Sequence, residues 1–303
     1  RAAESLVRLI RQTWPEKRVA ISTVTPTGYA IVRKFIKEDE AVLYYEDYLK
    51  DIPDSVNALY NVGLLYSHNN KNDKAIEKFE KALALKPNNT DIKEDLARSY
   101  HLAKNYDKAI ELYNQLLTTE KDNAELYYNA GLAYHSKQDI DKALEMYKKS
   151  LALKDNTRVR QDYTGALIAK ANQQNLNKNY TEAVANYNEA LKSRPSDFYA
   201  LSGLANTYQK MGRHNDAVLN YEKAIVKDNT NKTVFIDYGK TLLQLNKFEE
   251  SQGAFQKAIE IDPKEVQGYI GLGDSLYKTD QFDKSIVQYN KALELDPKNV
   301  ETL

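Results

Sequence analysis

The chain of 303 residues carries 43 Lys and Arg against 43 Asp and Glu, a formal net charge of zero, so no long-range field steers it onto nucleic acid or an anionic membrane. It has no cysteine, which excludes disulfides, thiolate catalysis and cysteine-based zinc or iron–sulfur sites. Hydrophobic residues make up 42% and charged ones 28%, a foldable balance rather than that of a disordered chain, and no apolar run approaches the roughly 20 residues that span a bilayer.

The sequence begins at Arg1, and its opening segment lacks the apolar centre of a secretory signal, so any upstream targeting segment would be invisible. The first residues read as a helix over Ala2–Thr13, a stop at Trp14-Pro15, a strand over Arg18–Val24 and a turn at Thr25-Pro26-Thr27-Gly28. The wording Leu9-Ile10-Arg11-Gln12-Thr13-Trp14-Pro15 and Ile21-Ser22-Thr23-Val24-Thr25-Pro26-Thr27-Gly28 resembles the start of the N-terminal Rossmann-like domain of Kdo transferases, glycosyltransferases of the lipopolysaccharide inner core. That resemblance implies a catalytic acid shortly before the first helix, where this sequence has not yet begun, so no catalytic residue is carried over; Glu4 lies inside the helix. Residues 1–36 therefore read as a cap or fusion remnant ahead of a second domain over 37–303. The resemblance leaves, as an alternative function, a non-catalytic portion associated with a glycosyltransferase.

From there one texture persists. Glu38–Ser55 reads as a helix that comes after a first helix expected near Thr25–Lys37, and from Val56 a unit of 34 residues recurs. In its first copy Leu59, Val62, Gly63, Tyr66, Ala75, Phe79, Ala82 and Pro87 stand at positions 4, 7, 8, 11, 20, 24, 27 and 32. Copies start again at residues 90, 124, 164, 198, 232 and 266. Apolar residues at i, i+3, i+4 and i+7 make each copy two helices. Small residues at positions 8, 20 and 27 let their backbones approach, an aromatic at 24 fills the space between pairs, and proline at 32 ends the second helix. These are the signature positions of the tetratricopeptide repeat, which the chain resembles over about residues 37–299. The resemblance implies an all-α solenoid of about seven full helix-turn-helix repeats plus a partial one, behind a short helix-strand-helix segment. The proline slots keep the period except for six extra residues near Arg158–Tyr163, which predict a longer first helix in the fourth copy or a longer loop before it.

Signs of catalysis are sparse. Of the four histidines, His101 and His135 share position 12 in successive repeats, at about the 8–10 Å spacing of packed helices, which suits two contacts on a peptide better than one metal. Gly271-Leu272-Gly273 fits close helix packing rather than a phosphate loop. Glu38-Asp39-Glu40 and Glu249-Glu250 read as solvated helix starts, where acids meet the helix dipole favourably. No enzyme activity, metal or cofactor is expected.

By resemblance to the family, the first helix of each repeat lines a concave groove that holds a protein or peptide. The candidate contacts at positions 2, 5, 6, 9 and 12 are Asn57, Tyr60, Asn61, Leu64, Asp95, Arg98 and His101, then Tyr128, Asn129 and His135, then Asn172, Tyr199 and Asn206. Tyr60, Tyr128 and Tyr199 are expected as exposed aromatic grips; Asn61 and Asn129 are expected to hydrogen-bond an extended backbone. Relatives that clamp the acidic tail of heat-shock chaperones place Lys with Asn, then Asn, then Lys with Arg where this chain has Tyr60 with Leu64, Asp95, and Glu125 with Asn129. That clamp is absent, and Asp91, Glu94, Asp95 and Glu125 favour a basic or neutral ligand in the early groove. Val300–Leu303 starts another copy without a polar capping helix, which leaves self-association through the solenoid ends as a further contact.

Overall fold

A computed structural model describes residues 38–298. They form fifteen helices and no strand, arranged in two bodies that meet in sequence between Asn156 and Thr157. The first body contains α1 (Glu38–Asp51), α2 (Val56–His68), α3 (Asn72–Leu85), α4 (Thr90–Leu102), α5 (Tyr106–Thr119), α6 (Ala124–Ser136) and α7 (Ile140–Leu153). The second contains α8 (Thr157–Leu176), α9 (Tyr180–Ser193), α10 (Phe198–Lys210), α11 (His214–Lys227), α12 (Lys232–Gln244), α13 (Phe248–Ile261), α14 (Val266–Tyr277) and α15 (Phe282–Leu295). The helix-strand segment of residues 1–36, its likeness to Kdo transferases, the helix expected near Thr25–Lys37 and the fragment Val300–Leu303 lie outside the described residues.

Local chemistry sets the helix ends at the same repeat positions each time. Ser55, Asn89, Asn123 and Asn231 cap first helices by accepting the backbone N–H groups of Ala58, Ile92, Leu126 and Val234, three residues on. Asp197 caps α10 through the Ala200 N–H in the same way. Each complete first helix then stops at position 15, where the backbone turns left-handed: Asn70, Lys104, Gln138, Lys178, Gly212, Asn246 and Asp280 all have φ between 56° and 72°. The next N–H returns to the carbonyl at position 11, as from Lys71 to Tyr66 at 2.8 Å and from Arg213 to Tyr208 at 2.9 Å, closing the helix end. Only Gly212 reaches this conformation without a Cβ penalty. Second helices open on acids such as Asp73, Asp107, Asp141 and Asp283, which the dipole favours, and they end before the proline slot.

The core is a series of aromatic wedges. Phe79, Tyr113, Tyr147, Tyr187 and Phe255, all at position 24, are fully or almost fully buried, each contributing about 2 kcal/mol from its burial. They fit because the facing position is small. A methyl group added at Gly63, Gly131, Gly239 or Gly273 would lie 2.6, 2.7, 2.9 or 2.6 Å from the ring of Phe79, Tyr147, Phe255 or Tyr289. The wedge also meets position 6 of the following repeat, since Gly203 touches Tyr187 and Gly271 touches Phe255. Alanines at positions 20 and 27, among them Ala75, Ala82, Ala109, Ala217 and Ala224, are sealed completely.

The six extra residues lengthen a helix rather than a loop. Helix α8 has 20 residues where other first helices have 12 or 13. Its added turns are packed, with Val159 at 3% and Tyr163 at 7% exposure, and Tyr163 reaches Glu189 of α9.

Candidate functional site

Within each body, first helices of successive repeats touch: α2 meets α4, α8 meets α10, α10 meets α12, and α12 meets α14. Their shared face is the candidate binding surface. In the first body a cleft of about 320 Å³ opens between α2 and α4, and Asn57, Tyr60, Asp95 and Arg98 line it together with Asp91 and Glu94. Four of the residues expected from the sequence are thus brought to one place.

This cleft is strongly polarised. The Tyr60 hydroxyl donates to Asp95 Oδ2 at 2.7 Å, while Arg98 donates to Asp95 Oδ1 at 2.9 Å and to Glu94 Oε1 at 3.0 Å. Burial raises the Asp95 carboxyl above its ordinary range, against the opposing pull of the Tyr60 hydrogen bond and the Arg98 charge. Burial raises Glu94 as well, again with Arg98 opposing. The Tyr60 hydroxyl is pushed far up, first by burial and then by the Asp95 charge. One guanidinium therefore serves two partly desolvated carboxyl groups, and its own side chain is 46% exposed.

Other expected contacts fall elsewhere. Tyr128 is not an exposed grip: it keeps 7% of its surface, with its ring 6.0 Å from that of Tyr147. Position 5 lies over the wedge at position 24, and Tyr60 likewise sits 5.8 Å from Phe79. Asn61 is wholly buried beside the Tyr45 hydroxyl, which burial pushes up to about 12, so its amide does not meet a ligand backbone. Asn129 and Leu64 are half-buried, and Asn172 is exposed, with its Oδ1 accepting from the Tyr187 hydroxyl. Tyr199 is the open aromatic, 70% exposed and 5.3 Å from Phe198. His101 Nε2 lies 2.9 Å from Ser136 Oγ, and burial lowers its pKa; His135 meets the edge of Tyr147 at 6.4 Å. Among the described residues no three His, Cys, Asp or Glu side chains converge on a point that would hold a metal.

In the second body the same face is a polar seam. Asn175 Nδ2 donates to Thr207 Oγ1 at 3.0 Å and Lys210 Nζ approaches Asn175 Oδ1 at 3.5 Å. Asn206 faces both the Tyr221 hydroxyl and the Asp237 carboxyl, the latter raised by burial. Lys240 donates to Gln267 at 2.9 Å.

Tetratricopeptide repeat models match residues 39–90, 66–133, 124–157, 175–212, 200–233, 233–265 and 273–303. The chain is a tetratricopeptide repeat protein. Its fold is similar to that of YrrB, a solved structure described as a TPR protein with an unusual peptide-binding site, at 18% identity and a TM-score of 0.51 over 64% of this chain and 96% of that one. It is also similar to a chain of the Naa15/Naa10 assembly bound to HypK-THB, at 15% identity and a TM-score of 0.50; the match takes in 99% of this tetratricopeptide repeat chain but only 61% of that one. No curated protein matches it.

Sequence reasoning missed the hydroxyls that the wedges bring through to the first-helix face. Tyr187 reaches Asn172, Tyr221 donates to Gln209 at 3.1 Å and Tyr289 donates to Asp274 at 2.7 Å. The signal was present in the choice of tyrosine over the phenylalanine of Phe79 and Phe255, because a ring that only fills space needs no hydroxyl.

Proposed function

We propose that this repeat protein is an interaction scaffold that holds a segment of another protein against its first-helix faces, and that the cleft between α2 and α4 takes a basic or neutral side chain of that segment. The observation that carries this reading is the pairing of Arg98 with two carboxyl groups that burial holds above their ordinary range. A ligand cation entering the cleft supplies the charge they lack, and the Tyr60 ring gives it an aromatic wall.

Panning a randomised peptide display library on the full chain tests the proposal. The expected outcome is enrichment of peptides with Lys or Arg beside an apolar residue, with binding weakened about tenfold by Tyr60→Ala and by Asp91→Lys. The second change falls on an exposed side chain and leaves the core alone. Peptides that bind both variants as tightly as the parent, or a selected pool rich in Asp and Glu, would discard the cleft.

A further inference from the structure

Arg98 differs from the groups it holds in how firmly it is placed. Asp95 is fixed across two helices, since its Oδ2 accepts from the Tyr60 hydroxyl of α2 at 2.7 Å, and its side chain is only 16% exposed. The hydrogen bonds of Arg98 run to Asp95 and Glu94, three and four residues back on its own helix, and 46% of its side chain is exposed. The fold thus sets the acceptors, while the donor sits on a long side chain at the solvent edge, in pairings of a kind that holds weakly on an exposed helix surface. Charge across the cleft points the same way. Lys86 and Arg98 stand against Asp91, Glu94 and Asp95, and an arriving ligand cation meets the like charge of Arg98 unless Arg98 leaves.

The second body shows where such a side chain goes. Lys240 of α12 stands at position 9 of its repeat, as Arg98 does, and Asp237 three residues before it matches Asp95. Lys240 reaches forward and donates at 2.9 Å to Gln267, at position 2 of the next first helix. For Arg98 the residue at that place is Glu125 of α6, an exposed carboxylate whose charge already acts on the guanidinium. A charged acceptor there holds a displaced cation better than the amide of Gln267 does.

We propose that Arg98 is an internal occupant of the cleft between α2 and α4, that the arginine side chain of a bound segment takes its place on Asp95 and Glu94, and that Arg98 then turns to Glu125. The inference rests on the cleft being a ligand site and names arginine as the residue it selects. What the ligand replaces is a fork, with Nη1 on one carboxyl group and Nη2 on the other. A guanidinium reproduces both bonds, sheds its hydration more readily than the ammonium of lysine, and stacks on the Tyr60 ring.

Two labelled peptides, Leu-Arg-Ala-Leu-Arg-Ala and Leu-Lys-Ala-Leu-Lys-Ala, serve as probes, with fluorescence anisotropy on titration with the full chain as the readout. The arginine peptide is expected to bind about tenfold more tightly than the lysine peptide. Arg98→Ala, which vacates the place, should tighten the arginine peptide about tenfold, and Arg98→Lys, which keeps the charge but not the fork, about threefold. Circular dichroism verifies that these changes at an exposed side chain keep the fold. An affinity that Arg98→Ala weakens or leaves unchanged, or that Arg98→Lys fails to raise, overturns the displacement of Arg98, and equal affinities for the two peptides overturn the choice of arginine. In both cases the cleft keeps its role as long as Tyr60→Ala weakens binding about tenfold. Binding that is indifferent to Tyr60→Ala, or absent from the parent chain and from Arg98→Ala alike, discards the cleft and this proposal with it.

Discussion

Glycine in a helix is a cost of about 1 kcal/mol against alanine unless something occupies the space of the missing side chain, and this chain contains both situations. Gly131 faces the Tyr147 ring so closely that an added methyl would lie 2.7 Å from it, whereas a methyl at Gly165 of α8 or Gly253 of α13 would meet nothing within 4 Å. Gly131→Ala is therefore expected to lower stability by about 1–3 kcal/mol, since a sealed ring must shift, and Gly253→Ala to raise it by about 0.5–1 kcal/mol. Urea unfolding of the two variants reads both signs. A stabilising Gly131→Ala would mean that the wedge is loose, and with it the account of why small residues recur at position 8. The same reasoning explains why the burial of Tyr128 is not legible in the sequence. Its position faces the groove in the repeat frame, but the bare backbone at Gly131 lets Tyr147 rise beneath it, and the two rings pack together. Side-chain exposure depends on what the neighbouring wedge does, and helical periodicity does not report that.

At the scale of the helices, the sequence is more informative. The 34-residue period places the complete repeats in register because most boundaries have their own chemical marker, a capping Ser, Asn or Asp before the first helix or, at Pro53, Pro87, Pro195, Pro263 and Pro297, a proline after the second. It leaves open the form of the six-residue insertion, since Thr157–Tyr163 carries neither a glycine nor a proline to force a loop. Packing decides it. Tyr163 is 7% exposed and its hydroxyl reaches Glu189, so the extra turns of α8 are anchored on α9. Tyr163→Ala is expected to cost about 3 kcal/mol, while Tyr163→Phe, which keeps the ring and removes one donor from Glu189 while Lys192 still donates to it at 3.1 Å, costs at most about 1 kcal/mol. Thermal unfolding followed by helical ellipticity measures the pair. Equal effects of the two variants would show that the hydroxyl, not the buried ring, holds the extension.

On the scale of the molecule, within each body a repeat contacts its neighbours in the chain and little else, so the stability of each body is close to a sum of intrinsic and nearest-neighbour terms. Surface charge adds little to that sum. Many ion pairs join exposed side chains three or four residues apart, such as Lys81 with Glu77 and Lys291 with Glu294, each worth about 0–1 kcal/mol. Buried repeat junctions therefore carry the protection of the backbone, and they are unequally distributed. Helix α13 lies between α12 and α14, and its Phe255 and Ala258 are completely sealed. Helix α15 has α14 on one side, while Ile286 on its other side is 56% exposed. Hydrogen exchange of the 303-residue chain is expected to be slowest in α13 and at least about tenfold faster in α15, because among the described residues α13 packs on both α12 and α14 and α15 on α14. Equal protection of the two helices would mean that the second body opens only as a whole and that nearest-neighbour additivity fails.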